Sequence, residues 1–366
     1  MTTDVKKIPA SISRRILTIG EAFRDRNAGG IVSVIRTYAD CFEVFRFVAS
    51  SRERNILDKI IYDLGGFFKM LFSLRGVKIV HIHTAAGGSF GKHMIYACAA
   101  KLLGRKVIMH IHGSRFKEYW AESPLHRKSR ILRSLRKADA VIVLSRSWQE
   151  WFQSIGVDST IVLNNIIPYP SVPSEAPQND GLLHMLFLGE IGERKGVFDL
   201  LNGIYDHADE FQDRIHLAIG GSGDEARMRK KISSFAIAEI VSFEGFVSGE
   251  KKASLLREAQ AYILPSYHEG LPISILEAMS YGCAIISTPV GGIPEIVGSD
   301  NGLLVPPGDT EAIAEAIRTL IHMQDEGSLE SLRQKSREKV APFFPDAVLD
   351  SLEKIYEALF QEGAQS

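Results

Sequence analysis

Short apolar runs rich in β-branched residues recur along the chain, each followed by a glycine-containing turn and a longer segment whose apolar positions return with helical period. The runs are Ile16 to Ile19, Val77 to Ile82, Val107 to Ile111, Ala140 to Leu144 and Thr160 to Leu163, then Met185 to Leu188, Ile215 to Ile219, Ala261 to Leu264 and Ala284 to Ser287. Runs without polar alternation predict strands buried on both faces, and strands alternating with helices predict parallel sheets covered by those helices. Between the two groups of runs, Asn165 to Asp180 carries Pro168, Pro170, Pro173 and Pro177 and few apolar residues. That stretch suits neither a central strand nor a helix and reads as a linker. The pattern therefore predicts two doubly wound, Rossmann-like α/β domains, residues 1–167 and 182–342, joined by a linker at 168–181 and followed by a tail at 343–366.

Length agrees, because 366 residues exceed the ~100 to 200 of one ordinary domain. A chain that is 45% apolar and 24% charged is neither disordered nor fibrous. Its net charge of −1 conceals a division: residues 1–170 carry 27 basic and 13 acidic side chains, residues 171–366 carry 16 and 31. The sign changes at the same place as the linker. Cys41, Cys98 and Cys283 are too few and too far apart for a disulfide framework. No window reaches the ~18 apolar residues of a membrane span and no signal-peptide core follows the N-terminal Lys6, Lys7, Arg14 and Arg15. These features predict a cytoplasmic chain whose contact with any membrane is peripheral.

In doubly wound sheets ligands bind where strands end and helices begin, so the chemistry is sought in the turns after the runs. The segment after Leu264 reads Ser266-Tyr267-His268-Glu269-Gly270-Leu271-Pro272-Ile273-Ser274-Ile275-Leu276-Glu277. Pro272 suits the first position of a helix, where its missing N–H costs nothing. The N–H groups of Leu271, Ile273 and Ser274 would then form an anion or sugar-hydroxyl site. Glu269 just before the helix and Glu277 two turns in are acceptor-only groups, suited to a polyhydroxylated ligand. After Leu188 comes Gly189-Glu190-Ile191-Gly192-Glu193-Arg194-Lys195-Gly196, in which Arg194 and Lys195 beside glycines meet the needs of a diphosphate. Gly29-Gly30 after the first run permits close approach of a phosphate, whereas Gly220-Gly221-Ser222-Gly223-Asp224 reads as a tight turn. His81-Ile82-His83 and His110-Ile111-His112 place co-facial imidazoles on two strands. With no carboxylate or cysteine at ligand spacing beside them, no metal is assigned, and His112, at a strand end before Gly113, is the candidate functional histidine.

Taken together these residues resemble the retaining glycosyltransferases of family 4, also called glycosyl transferases group 1, which have the GT-B fold. The most specific part is Glu269 to Glu277, which fits the family's Glu-x7-Glu signature, continued by Cys283-Ala284-Ile285-Ile286-Ser287-Thr288-Pro289-Val290-Gly291-Gly292-Ile293-Pro294-Glu295 and Asn301 to Asp309. The resemblance implies two Rossmann-like domains facing across a cleft, an acceptor domain first and a nucleotide-sugar domain second. It also implies a C-terminal helix, Pro345 to Phe360, crossing back to the first domain. By the same resemblance Glu277 binds the donor ribose, and Glu269 with Gly270, Leu271, Pro272 and Ile273 holds the transferred sugar. Arg194 and Lys195 hold the diphosphate, Gly29 and Gly30 approach the donor phosphate, and His112 lies near the reactive side of the sugar. The chain departs from the family pattern at Glu190, where many members have arginine, and at Asn165-Ile166, where Asn-Gly is common.

The implied activity is transfer of a hexosyl unit from a nucleotide-diphosphate sugar to a glycan or lipid-linked saccharide. A UDP-sugar is the first choice of donor and GDP-mannose the next; no cofactor or divalent metal is required, and no Asp-x-Asp motif is present. The alternatives are a nucleotide-sugar 2-epimerase of the same fold and a catalytically silent binding protein, the first of which would convert donor in the absence of acceptor. The segment His126 to Lys137 holds six cations and, with the basic half as a whole, points to an anionic membrane surface rather than to nucleic acid.

Overall fold

The computed structural model describes residues 5–22, 30–51, 56–170 and 180–362. It comprises two compact units, Met1–Pro168 with Pro342–Ser366, and Tyr169–Ala341. In the first unit β1 (Ile16–Glu21), β2 (Phe47–Ser51), β3 (Ile79–Thr84), β4 (Lys106–Ile111), β5 (Ala140–Val143) and β6 (Thr160–Val162) form one parallel sheet in the order β2-β1-β3-β4-β5-β6. Its helices are α1 (Ala10–Ser13), α2 (Gly30–Cys41), α3 (Ile56–Ser73), α4 (Gly88–Leu102), α5 (Phe116–Glu122), α6 (Leu125–Lys137) and α7 (Arg146–Ser154).

The second unit has the strands β7 (Leu183–Leu188), β8 (Ile215–Gly220), β9 (Val241–Gly245), β10 (Ala261–Leu264), β11 (Ala284–Ser287) and β12 (Gly302–Leu304), in the order β12-β11-β10-β7-β8-β9. Its helices are α8 (Val197–Asp206), α9 (Ala208–Phe211), α10 (Glu225–Ser234), α11 (Gly249–Glu258), α12 (Ile273–Ser280), α13 (Thr310–Asp325) and α14 (Leu329–Lys339). Every residue of β3, β5, β10 and β11 is buried, which is why these strands show no polar alternation in the sequence.

All nine strands expected from the apolar runs are present, but β2, β9 and β12 escape the sequence reading. Each of the three is an edge strand. A strand with one neighbour needs less apolar surface, and these carry Ser50 and Ser51, Ser242 and Glu244, or span only three residues.

The last helix, α15 (Pro345–Glu362), belongs to the first unit. It buries Val348, Leu349, Leu352, Tyr356 and Leu359. Its carboxylates meet cations of that unit: Glu353 and Asp350 pair with Lys6, and Glu362 with Lys106. The charge division is therefore smaller by unit than by sequence half. The first unit, with its returning segment, carries 28 basic and 18 acidic residues, a surplus of 10 in place of 14. Among the described residues no helix is long and apolar enough to cross a membrane.

Strand order also locates the site. In the second sheet the chain runs β7-β8-β9 toward one edge and β10-β11-β12 toward the other. Where such an order reverses, the loops leaving two adjacent strands diverge and open a crevice at their carboxyl ends. The reversal here lies between β7 and β10, the two strands that precede Gly189–Gly196 and Ser266–Glu277.

Candidate active site

The ends of β7 and β10 and the loops that follow them are tied together by hydrogen bonds. Tyr262 Oη, on β10, donates to the Leu188 carbonyl at 2.8 Å, and Tyr267 N donates to the Arg194 carbonyl at 2.9 Å. Gly196 is left-handed, with φ +68°, and a Cβ there would stand 2.0 Å from the Pro265 carbonyl oxygen. Only glycine permits that approach, and it brings Lys195 over the start of the neighbouring loop. Lys195 Nζ donates to Glu269 Oε1 at 2.5 Å, and Ser266 Oγ donates to the same oxygen at 2.8 Å. Glu269 is only 6% exposed. Both donors take Oε1, so Oε2 is the oxygen that neither of them occupies.

Arg194 lies alongside, its Nη2 2.7 Å from Glu190 Oε2 and its Nη1 donating to the His268 carbonyl at 3.4 Å. Of the two carboxylates in the same turn, Glu190 pairs with Arg194, whereas Glu193 turns to Arg227 at 2.5 Å. Arg227 belongs to α10 and escapes the sequence reading because no turn motif contains it. The Gly220–Asp224 segment backs the site: Ile191 N donates to the Ser222 carbonyl and Asp224 N to the Ile191 carbonyl, both at 2.9 Å.

The helix after Gly270 begins one residue later than the sequence suggests. Pro272 has φ −71° and ψ 121°, so it is the extended N-cap and Ile273 is the first helical residue. Its locked φ suits either position, and the extended ψ decides between them. The N–H groups of Ile273, Ser274 and Ile275 therefore form the first turn of α12, which has no acidic residue of its own to neutralise the positive helix end.

Behind it, Gly292 N donates to the Gly270 carbonyl at 2.7 Å. Gly291, φ +59°, occupies a point where a Cβ would be 2.0 Å from the Glu269 carbonyl oxygen. The Gly291-Gly292 continuation thus fixes the backbone of Glu269 and Gly270. Glu277, on α12, accepts a bond from Lys252 Nζ of α11 at 2.6 Å. Lys252 is the second cation missed by sequence reading, since it lies before β10 and far from any motif.

In the first unit Gly30 opens α2, and Gly29 lies outside the described residues. His112 follows β4 and is half-buried. His83 and His110 are register partners on β3 and β4, so the period of two stacks four imidazoles on one face. His83 Nδ1 lies 2.9 Å from His112 Nε2, His81 Nε2 lies 3.2 Å from His110 Nδ1, and Tyr356 Oη lies 2.8 Å from His81 Nδ1. Burial pushes His112 and His81 down to about 3, and His83 and His110 well below the usual imidazole range.

One ring nitrogen from each of His81, His83 and His110 falls within 4.8 Å of the others. The rings are close to parallel, however, with interplanar angles of 22°, 14° and 34°. In-plane lone pairs of near-parallel rings do not converge on one point at the ~2.0–2.1 Å of a metal–imidazole bond. The arrangement is a stack of neutral imidazoles with His112 at its open end.

The structure thus gathers Arg194, Lys195, Glu269, Gly270, Leu271, Pro272 and Ile273 around one strand pair, sets Glu277 two turns along α12, and places His112 against His83 in the other unit.

Residues 183–323 match the family model described as glycosyl transferases group 1, and residues 24–165 match the glycosyl transferase 4-like domain. WcaL of Salmonella typhimurium, named for colanic acid biosynthesis, is 28% identical over 231 residues, 57% of this chain and 54% of that protein. The chain therefore spans about half the length of WcaL. The 2-deoxystreptamine N-acetyl-D-glucosaminyltransferase of Niallia circulans is 27% identical over 307 residues, 77% of this chain and 78% of that one. Among solved structures, sucrose-phosphate synthase of Thermosynechococcus elongatus superposes with a TM-score of 0.73 at 20% identity, covering 95% of this chain and all of that one. Anabaena HepE, solved in complex with UDP-glucose, gives 0.73 at 16% identity and covers 94% of this chain and 99% of its own. These two likenesses show the fold.

Proposed function

The chain belongs to the glycosyl transferases group 1 family and has its GT-B fold, and from that premise we propose that it is a retaining hexosyltransferase using a nucleotide-diphosphate sugar. The observation that carries the reading is the buried Glu269 carboxylate, fixed through one oxygen by Lys195 and Ser266 beside Arg194 and the first turn of α12. Glu269 Oε2 and the backbone from Gly270 to Ile273 would accept and orient the sugar hydroxyls. Glu277 would take the ribose hydroxyls once Lys252 releases or shares it. Gly29, Gly30 and His112 are proposed donor-side contributions of the first unit, which would bind the acceptor, while residues 182–342 bind the donor.

Breaking the anomeric C–O bond builds positive charge on the sugar and negative charge on the departing diphosphate. Arg194, Lys195 and the N-terminus of α12 would stabilise that anion. The departing phosphate would then take the proton of the acceptor hydroxyl on the same face, so no protein nucleophile is needed and no divalent ion is required to neutralise the leaving group. A UDP-sugar is the favoured donor because HepE is solved with UDP-glucose. GDP-mannose is next, since a Mycobacterium leprae relative, 28% identical over 233 residues, is a phosphatidyl-myo-inositol mannosyltransferase. The acceptor class is a glycan or lipid-linked saccharide of polysaccharide or lipopolysaccharide assembly. The place of action is the cytoplasm, at an anionic membrane face that attracts the basic first unit.

Two measurements test this. Thermal-shift screening against UDP-, GDP- and ADP-sugars should show one nucleotide stabilising the protein, and transfer with that donor should survive EDTA. Conversion of donor to a new nucleotide sugar without acceptor would replace transfer with epimerisation, and loss of activity in EDTA, restored by a divalent ion, would overturn the cation-only leaving-group site.

A further inference from the structure

Charge draws the first unit toward an anionic surface but does not say which face meets it. Helices α3, α4 and α6 lie side by side, α4 touching both of the others. Their inner faces supply Met70, Phe90, Tyr96, Ala97, Ala100, Ile131 and Leu135 to one core. Their outer faces are unusual. On α3, Leu64, Phe68 and Phe72 are 59%, 56% and 85% exposed, and the spacing i, i+4, i+8 puts them in one row of roughly 12 Å. On α4, Ile95 and Leu102 are exposed, and so is Cys98 between them, at i, i+3 and i+7. Leu125 is exposed at the start of α6.

Single exposed apolar residues need no explanation, but a row of three beside a second row on the adjacent helix does. The stretch of chain that carries them is strongly basic. Residues 63–137 carry 15 basic and 3 acidic side chains, and α6 has six cations and no carboxylate, with Arg127, Arg130 and Arg133 facing solvent. Within that stretch Lys92 pairs with Asp63, Lys101 with Asp139, and Lys106 with Asp139 and Glu362, while Asp350 and Glu353 of α15 pair with Lys6.

We infer that the outer faces of α3 and α4 insert shallowly into an anionic lipid surface, with α6 laid on the headgroups. The inference rests on the reading of the first unit as membrane-directed and assigns the surface that makes contact. An apolar row bordered by like charges suits a bilayer interface, where acyl chains receive the rings and anionic headgroups receive the guanidinium groups. The same cations would repel a second copy of the chain presenting the same face.

Cys98 gives a probe within the patch, because Cys41 and Cys283 are buried. The full chain is labelled there with a polarity-sensitive dye and mixed with phosphatidylglycerol/phosphatidylcholine vesicles or with phosphatidylcholine vesicles alone. The expected result is a blue shift and co-sedimentation with the anionic vesicles only. Both should fall at least tenfold in Phe68→Ser/Phe72→Ser, two exposed positions whose change should leave the melting temperature unaltered, and also in Arg130→Glu/Arg133→Glu.

Salt-reversible binding with no Cys98 shift, or binding indifferent to Phe68→Ser/Phe72→Ser, overturns insertion while leaving the charge attraction standing. Binding to neither vesicle overturns both. Self-association that disappears in Phe68→Ser/Phe72→Ser, without vesicle binding, assigns the patch to a second copy and overturns the lipid reading.

Discussion

Lys195→Ala is expected to lower sugar transfer at least tenfold and to destabilise the second unit by about 3–5 kcal/mol, the range for breaking a buried ion pair from one side. Lys195 would supply the charge that meets the departing diphosphate, and it also holds Glu269 Oε1 at 2.5 Å. Removing it leaves a carboxylate that is 6% exposed with Ser266 as its one remaining side-chain donor among the described residues. Glu269→Ala should lower transfer by at least the same factor, because it removes the group proposed to orient the sugar, and it leaves the Lys195 ammonium without its partner.

Stability and chemistry separate in the double variant Lys195→Met/Glu269→Leu. Replacing both partners by apolar residues of similar size removes the uncompensated charge, so the denaturation midpoint should return toward the parent value. Transfer should stay at the level of the worse single variant. Denaturant titration and initial-rate assays on the four proteins complete the cycle. Full activity in either single variant would sink the role given to that residue, and activity that returns together with stability would make the pair a scaffold only.

The legible part of this protein is the part whose constraint is local. Strands buried on both faces announce themselves as unbroken apolar runs, and turns that need glycine announce themselves by glycine, as at Gly196 and Gly291. The close contacts of these two glycines, with the Pro265 and Glu269 carbonyls, explain why the motifs read as they do. What the sequence leaves out is partnership across elements. Lys252 reaches Glu277 from the preceding helix, and Arg227 draws Glu193 away from Arg194. Both depend on how α10 and α11 pack beside the sheet, which no spacing rule encodes. The edge strands β2, β9 and β12 belong to the same class, being defined by a neighbour more than by composition. The spacing of the histidine pairs makes each pair co-facial, but their stacking into one neutral array needs the register that sets His83 opposite His110.

That array has the second large consequence: mild acid is expected to unfold the first unit. His81, His83, His93 and His110 are buried. Burial pushes His81 and His93 down to about 3, and His83 and His110 well below the usual range. His93 is held neutral between Ser50 Oγ at 2.7 Å and Thr84 Oγ1 at 2.8 Å, with the Lys92 charge lowering it further. The Nε2 atoms of His83 and His110 are buried with no hydrogen-bond partner among the described residues. Protonating those rings fully would aim an N–H at nothing.

The sign follows from linkage. In the unfolded chain these imidazoles take up protons near their ordinary value of 6.5, whereas in the folded chain His81 and His93 do so only near 3 and His83 and His110 well below the ordinary range. The stability these residues permit is therefore complete above pH 6.5 and is lost as pH falls toward 3. One unit below 6.5, His81 and His93 together cost roughly 3 kcal/mol, and His83 and His110 act in the same direction. That is a sizeable part of the ~5–15 kcal/mol of a typical domain. Trp120, Trp148 and Trp151 are the chain's three tryptophans, and all lie in the first unit, so their fluorescence in denaturant titrations reports that unit alone. The midpoint should be flat above pH 7.5 and fall steeply by pH 5.5. His93→Gln, which keeps a polar side chain between Ser50 and Thr84, should flatten the slope by about one proton. A midpoint that does not move between pH 7.5 and 5.5 would show that the histidines take up protons in the folded state and that the stack is open to water.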